Sequence, residues 1–232
     1  MLFNDLKLKK ESLPITIPVF PLSGALLLPG LELPLNIFET KYINMVDDAL
    51  AEKKLIGMIQ PEQKILSGLT KNKNLYKTGC VGKIRAFNET EDGRYLIVLE
   101  GITRFDTVEE ITTTRGYRRF KVSYDKYAED FNIKKLRENF DFQISKKDLV
   151  LKVENFLVNN KKQDGIEDIE TLMNVESGFL VDFLSSYLPF SAQEKQLFLE
   201  AESLEIRAKI LYKVLGIAEA SAKNSINSKV IH

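Results

Sequence analysis

The chain has 232 residues, with Lys plus Arg and Asp plus Glu both at 33, one cysteine and one histidine. A formal net charge of +0 leaves no global field to recruit nucleic acid or an anionic membrane. No apolar run reaches the ~18 residues of a membrane span, and a lone Cys80 excludes an internal disulfide and reads as a small buried hydrophobe.

Met1 to Glu11 alternates apolar residues with lysines and lacks an apolar signal core, so a cytoplasmic protein is expected. Ile15 to Leu50 is dense in aliphatics and is interrupted by Pro18, Pro21, Pro29 and Pro34. Each proline fixes φ and removes a donor, so short extended pieces are expected at Thr16 to Phe20 and Glu32 to Asn36. Between them runs an apolar loop through Leu26, Leu27, Leu28, Pro29 and Gly30. From about Glu39 the period changes. Tyr42, Met45, Val46, Ala49 and Leu50 form one helical stripe.

Leu55 to Gln60 reads as a strand ending at Pro61, and Glu62 to Asn74 as an exposed polar loop. Cys80 to Phe87 and Tyr95 to Glu100 flank Asp92-Gly93, a hairpin signal. Tyr95 to Leu99 is apolar at every position, as expected of a strand buried on both faces. A separate strand is expected at Arg104 to Ile111, and Arg119 to Tyr124 alternates with period two. Such a set of strands closes most economically into a sheet without exposed edges.

Near residue 125 the period switches to 3.6. Tyr127 to Phe142 reads as a connector. Ser145 with Asp148 resembles a capping box opening a helix through Leu149, Val153, Phe156 and Leu157. Lys161 to Gly165 is a polar break, and Glu167 to Met173 a short helix. Asn174 is expected to cap a helix with Phe179, Leu180, Phe183, Leu184, Tyr187 and Leu188 as its stripe, ended by Pro189. Ser191 and Glu194 form a second capping box, opening a helix through Leu197 and Leu199. Leu204 to Leu215 gives the last helix, with Gly216 as its C-cap. The expected fold class is α+β: residues 1–125 a β-rich half with one helix and a core from about 15, 126–216 a helical bundle, and 217–232 a frayed polar tail. An opening Met and a polar tail after the last capped helix favour a naturally short protein.

Several motifs carry a family resemblance. Ile17-Pro18-Val19-Phe20-Pro21-Leu22, Leu27-Leu28-Pro29-Gly30 and Leu33-Pro34-Leu35-Asn36-Ile37-Phe38-Glu39, followed by Lys41-Tyr42, open it. Leu75 to Gly82, Val98 to Phe105 and Phe179 to Leu184 follow in order. Together they resemble the N-terminal, substrate-binding (LON) domain of ATP-dependent Lon protease, without its ATPase and protease domains. The resemblance implies a twisted, PUA-like β pseudo-barrel followed by a helical bundle. It also marks Pro18, Pro21, Pro29, Gly30, Pro34, Phe38, Glu39, Tyr42, Gly79, Glu100, Gly101 and Arg104 as motif positions.

No reaction is legible. Gly82-Lys83 is followed by Ile84, with Lys77 where a P-loop needs its first glycine. The family's serine–lysine proteolytic domain has no counterpart here. His232, the only histidine, closes the chain, so neither a nucleophile–histidine pair nor a tetrahedral zinc set can form. Asp47-Asp48, Glu109-Glu110 and Glu129-Asp130 are adjacent pairs that read as solvated charges. A non-enzyme without cofactor or metal is expected. Arg115, Arg118, Arg119 and Lys121, interleaved with Tyr117 and Phe120, could contact nucleic acid, and the barrel of the resembled family is similar to a class of RNA-binding barrels. Zero net charge and the acidic neighbours Glu109, Glu110 and Asp125 disfavour that reading. Glu39, Glu100 and Arg104, at motif positions, could form a peptide-contacting polar site, but the expected arrangement is an internal pair of Arg104 with a carboxylate from the first helix or the fifth strand.

Recognition remains. The resemblance implies binding of unfolded or hydrophobic polypeptide segments, with a protease or chaperone as a further partner. The sequence candidates for that surface are Leu26, Leu27, Leu28, Leu31 and Leu33 if they line an open groove; the plainer expectation is that they seal the end of the barrel. The alternative is a scaffold for one folded partner.

Overall fold

A computed structural model of the chain describes residues 9–62, 74–141, 144–160 and 169–229, with backbone alone at 169–170 and 223–229. The polar loop expected through 63–73, the break at 161–165 and the terminal His232 lie outside the described residues. The chain divides into two compact units, Met1–Ile133 and Lys134–His232.

In the first unit the elements are β1 (Thr16–Pro21), β2 (Glu32–Ile37), α1 (Thr40–Ala51), β3 (Leu55–Ile59), β4 (Thr78–Glu89), β5 (Tyr95–Ile111) and β6 (Arg118–Ser123). A 3-10 segment, Asp125–Asn132, follows. The strands lie in the order β2-β5-β4-β3-β1-β6, and β5 also pairs with β6, closing the sheet on itself. β1 and β3 run parallel, and the other pairs are antiparallel. Ile17, Val19, Val81 and Phe105, none accessible to solvent, fill the barrel with Leu55, Ile59, Phe120, Val122 and Tyr124. α1 buries Met45, Val46 and Ala49, while Tyr42 packs its ring 4.4 Å from that of Phe20.

Two strands expected separately, Tyr95 to Glu100 and Arg104 to Ile111, are one continuous β5 of 17 residues. Its partner changes along its length: the first part lies between β4 and β2, the last pairs with β6. The pivot is Gly101. An added Cβ there would sit 2.1 Å from the Leu28 carbonyl oxygen, so only glycine lets the apolar loop approach. β2 forms the outer edge of this three-stranded flap. The Gly101 N–H donates to the Leu31 carbonyl at 2.9 Å, and the ladder continues at Leu33/Leu99 and Leu35/Ile97. By the alternation of antiparallel pairs, Pro34 and Asn36 turn their main-chain groups to the outer edge.

The second unit begins within α2 (Ile133–Glu138) and continues as α3 (Lys146–Asn159), α4 (Ile169–Asn174), α5 (Ser177–Tyr187), α6 (Ala192–Glu200) and α7 (Leu204–Lys229). Its core gathers Leu149, Val153 and Phe156 of α3, Leu180 and Leu184 of α5, Phe198 of α6, and Leu211 and Leu215 of α7. At its centre Asp182, wholly buried, accepts from Arg137 Nη2 at 2.7 Å and Arg207 Nη1 at 2.5 Å. Two guanidiniums on one carboxylate tie α2, α5 and α7 together; an unpaired charge there would be costly.

Several local expectations are corrected. Ser145 stands at the N-cap of α3 without a side-chain cap bond, because Asp148 instead accepts from the Tyr212 hydroxyl on α7. Asn174 ends α4, and Glu176 stands at the N-cap of α5 without a side-chain cap bond. Phe179, Phe183 and Tyr187 stack ring on ring along the outside of α5, while Leu180, Val181 and Leu184 face the core. The Ser191–Glu194 capping box is present, with the Glu194 N–H donating to Ser191 Oγ at 3.3 Å. Gly216 does not end the last helix: α7 runs through it to Lys229, because the alanine-rich continuation is a good helix former and one interior glycine costs only ~1 kcal/mol. The residues from 127 to 141, expected as a connector, hold most of the 3-10 segment and α2.

Candidate functional site

The leucines singled out in the sequence do not form an open groove. Leu26, Leu27, Leu28 and Leu31 are each 5% exposed or less, and Leu33 is half-buried. The hollows beside two glycines explain it. Leu27 lies over Gly82, and the Leu28 carbonyl lies over Gly101. The Gly30 N–H donates to the Gly101 carbonyl at 2.8 Å and fixes the loop against β5. This loop is a plug for the sheet.

The open apolar surface lies on the flap formed by β2, β4 and the start of β5. The apolar run Tyr95 to Leu99 is buried on one face only: Ile97 and Leu99 point inward, while Leu96 is 41% exposed and Val98 half-exposed. Register places Pro34 beside Val98 and Val98 beside Ala86, and likewise Asn36 beside Leu96 and Leu96 beside Asn88. These two rows share one face, by the period-two alternation of side chains. Between them a third row, Leu35, Ile97 and Phe87, contributes its backbone as a floor and turns its side chains to the other face. The result is a trough of about 430 Å³ that crosses the strands, lined by these nine residues. None of the nine is ionisable. One wall is wholly apolar, and the other carries an amide at each end. The signal in the sequence was the apolar Tyr95 to Leu99 run itself, which carries more hydrophobes than a strand with one buried face requires.

The charged motif residues are engaged elsewhere. Arg104 is nearly buried and forms an internal pair, but neither Glu39 nor Glu100 is its partner. Its Nη2 donates to Asp130 Oδ1 at 2.8 Å, and its backbone N–H reaches Asp130 Oδ2 at 2.8 Å. Burial opposes the charge on Arg104, but Asp130 overcomes it and raises the guanidinium above its ordinary value. Asp130 is therefore not a solvated charge. Glu100 takes Arg85, and Glu39 takes Lys41 at 2.9 Å.

A neighbouring group is built on Asp106, which accepts from Lys126 at 2.7 Å, Tyr127 at 2.7 Å and Thr78 at 3.1 Å. Burial acts against the Asp106 carboxylate, yet these three donors hold its pKa below the ordinary range. The Tyr127 phenol, pushed up chiefly by burial, stands at about 12. Both groups pin the 3-10 segment to β5.

The arginines of the basic cluster form internal pairs, Arg115 with Asp48 at 3.0 Å, Arg118 with Glu110 at 2.6 Å and Arg119 with Glu52 at 3.4 Å, while Lys121 is exposed. Asp47 and Asp48 also take the hydroxyls of Tyr95 and Tyr117 at 3.1 and 2.7 Å, fastening α1 to the hairpins. Among the described residues no His, Cys, Asp or Glu cluster could hold a metal, and no helix is long and apolar enough to cross a membrane.

Residues 16–216 match the family model described as the ATP-dependent protease La (LON) substrate-binding domain. A Lon protease of Flavobacterium johnsoniae is 27% identical over 231 residues, covering 98% of this chain and 27% of that protein. A Lon protease of Parabacteroides distasonis is 32% identical over 204 residues, covering 87% of this chain and 23% of that protein. The chain thus spans about a quarter of the length of the curated relatives it matches. Among solved structures, a Lon N-terminal domain protein from Xanthomonas campestris superposes with a TM-score of 0.56 at 21% identity, over 85% of this chain and 97% of that one. The N-terminal domain of Mycobacterium avium complex Lon protease does so with 0.55 at 18% identity, over 87% and 98%. At those identities the likeness is one of fold.

Proposed function

The chain belongs to the LON substrate-binding domain family, and from that premise we propose that it recognises polypeptide segments without acting on them chemically. Its clients are unfolded or hydrophobic stretches. The observation that carries this is the trough on the β2–β5–β4 flap, an exposed apolar surface with no ionisable lining residue. The plugged leucine loop supplies no such surface. The internal contacts of Asp47, Asp48, Glu110 and Asp130 and of Arg104, Arg115, Arg118 and Arg119 support recognition over catalysis. Apolar side chains of a client gain by leaving water in the trough, whereas a charged side chain would lose hydration without finding a partner.

Titration of the protein with a fluorescent, permanently unfolded model protein tests the reading by anisotropy. Saturable binding at tens of micromolar or below is expected, with little dependence on salt because no ion pair forms. Leu96→Glu places a charge in the middle of the amide-bearing wall. It should abolish binding while leaving the melting temperature of this exposed position within a degree or two. Wild-type protein that fails to bind, or Leu96→Glu that binds equally well, overturns the proposal. A single stoichiometric folded partner recovered in place of unfolded clients would redirect it to a scaffold role.

A further inference from the structure

Resting on that reading of the trough, we infer that its occupant is an uncharged segment in the polyproline II conformation, gripped through its main chain by Asn36 and Asn88. Both residues are exposed and in register with Leu96 from opposite sides. Neither side-chain amide has a hydrogen-bond partner among the described residues, so both present a donor and an acceptor to a ligand. Two strand spacings separate them, about 9.6 Å. A β-strand crossing the trough would turn residues three apart to opposite sides. A polyproline II segment has three residues per turn and repeats every ~9.3 Å, so residues three apart point the same way. Its main-chain groups are also unpaired, ready for exchange with side-chain amides.

The opposite wall, Pro34, Val98 and Ala86, lies two residues along each strand, about 6.7 Å away, room for one row of apolar side chains. Charge complementarity fixes the rest. With no ionisable group among the nine lining residues, the segment that fits carries none either. Polyproline II is a major conformer of unfolded chains, so a clamp shaped for it selects unfolded polypeptide by conformation and not by a sequence motif.

The test uses the full chain and a fluorescein-labelled ten-residue peptide of leucine, proline, alanine and glutamine. A second peptide has N-methyl groups on two main-chain nitrogens three residues apart, and a third has aspartate for leucine. Wild-type protein should bind the first, and the third at least tenfold more weakly. Asn36→Ala/Asn88→Ala should weaken the first about tenfold, the effect of two neutral hydrogen bonds of modest net strength. That double variant should no longer distinguish the first peptide from the N-methylated one. Melting curves check that each variant is folded. If Leu96→Glu abolishes binding but the double Asn variant binds within twofold of wild type, the main-chain clamp is wrong and the trough reading survives. If wild type binds neither the first peptide nor unfolded protein, the reading itself falls.

Discussion

At the scale of single residues, the molecule is fastened by charges set beside glycines. Arg104 and Asp130 are both nearly buried and hold each other in several bonds. Arg104→Ala leaves a carboxylate buried without its cation and should cost about 3–5 kcal/mol in chemical denaturation. Gly101→Ala drives a methyl into the Leu28 carbonyl and should cost about 3 kcal/mol or more, unseating the leucine plug. Asp106 gives a pH signature. Its folded pKa lies below the ordinary carboxylate value, so its contribution is present above about pH 4 and is lost as pH falls through the depressed folded value. Asp106→Asn should remove that part of the acid loss of stability, leaving a shallower acid limb in melts recorded between about pH 2 and 5. These positions were legible in part. Arg104 and Gly101 stand out as motif residues, but Asp130 sits 26 residues downstream in a stretch whose period says nothing about where it docks.

At the scale of elements, periodicity located the helices and strands well and their ends less well. α7 is the clear case. Glycine after a stripe of leucines reads as a stop, yet Ile217, Ala218, Ala220 and Ala222 carry the helix onward. An added Cβ at Gly216 meets nothing within 4 Å, so Gly216→Ala should add up to about 1 kcal/mol, seen as a higher denaturation midpoint. β5 shows the opposite error. Tyr95 to Glu100 and Arg104 to Ile111 read as two strands, whereas the sheet keeps one strand and changes its partners. The candidate site was missed for a related reason. Tyr95 to Leu99 looked buried on both faces because periodicity reports apolarity and not what covers it. Only the register, with Pro34 and Asn36 on one side and Ala86 and Asn88 on the other, shows a face left open.

At the scale of the whole molecule, strands first and helices second announced an α+β chain, and the two compact units follow that order. Each unit has its own buried charge cluster, Arg104–Asp130 in the first and Arg137–Asp182–Arg207 in the second. Asp182→Asn leaves two guanidiniums facing a neutral amide, and hydrogen exchange should report lost protection in the helices of the second unit before the barrel strands. The outer edge of β2 has a consequence for the proposed binding of unfolded chains. A regular open edge beside a bound apolar segment is a seed on which strand after strand could add, turning a binder into the nucleus of a fibre. Pro34 stands at the middle of that edge with no N–H to offer, and so interrupts the row of donors. On the proposed reading, the same proline that walls the trough works against such growth and favours a client that rests against the sheet and leaves again.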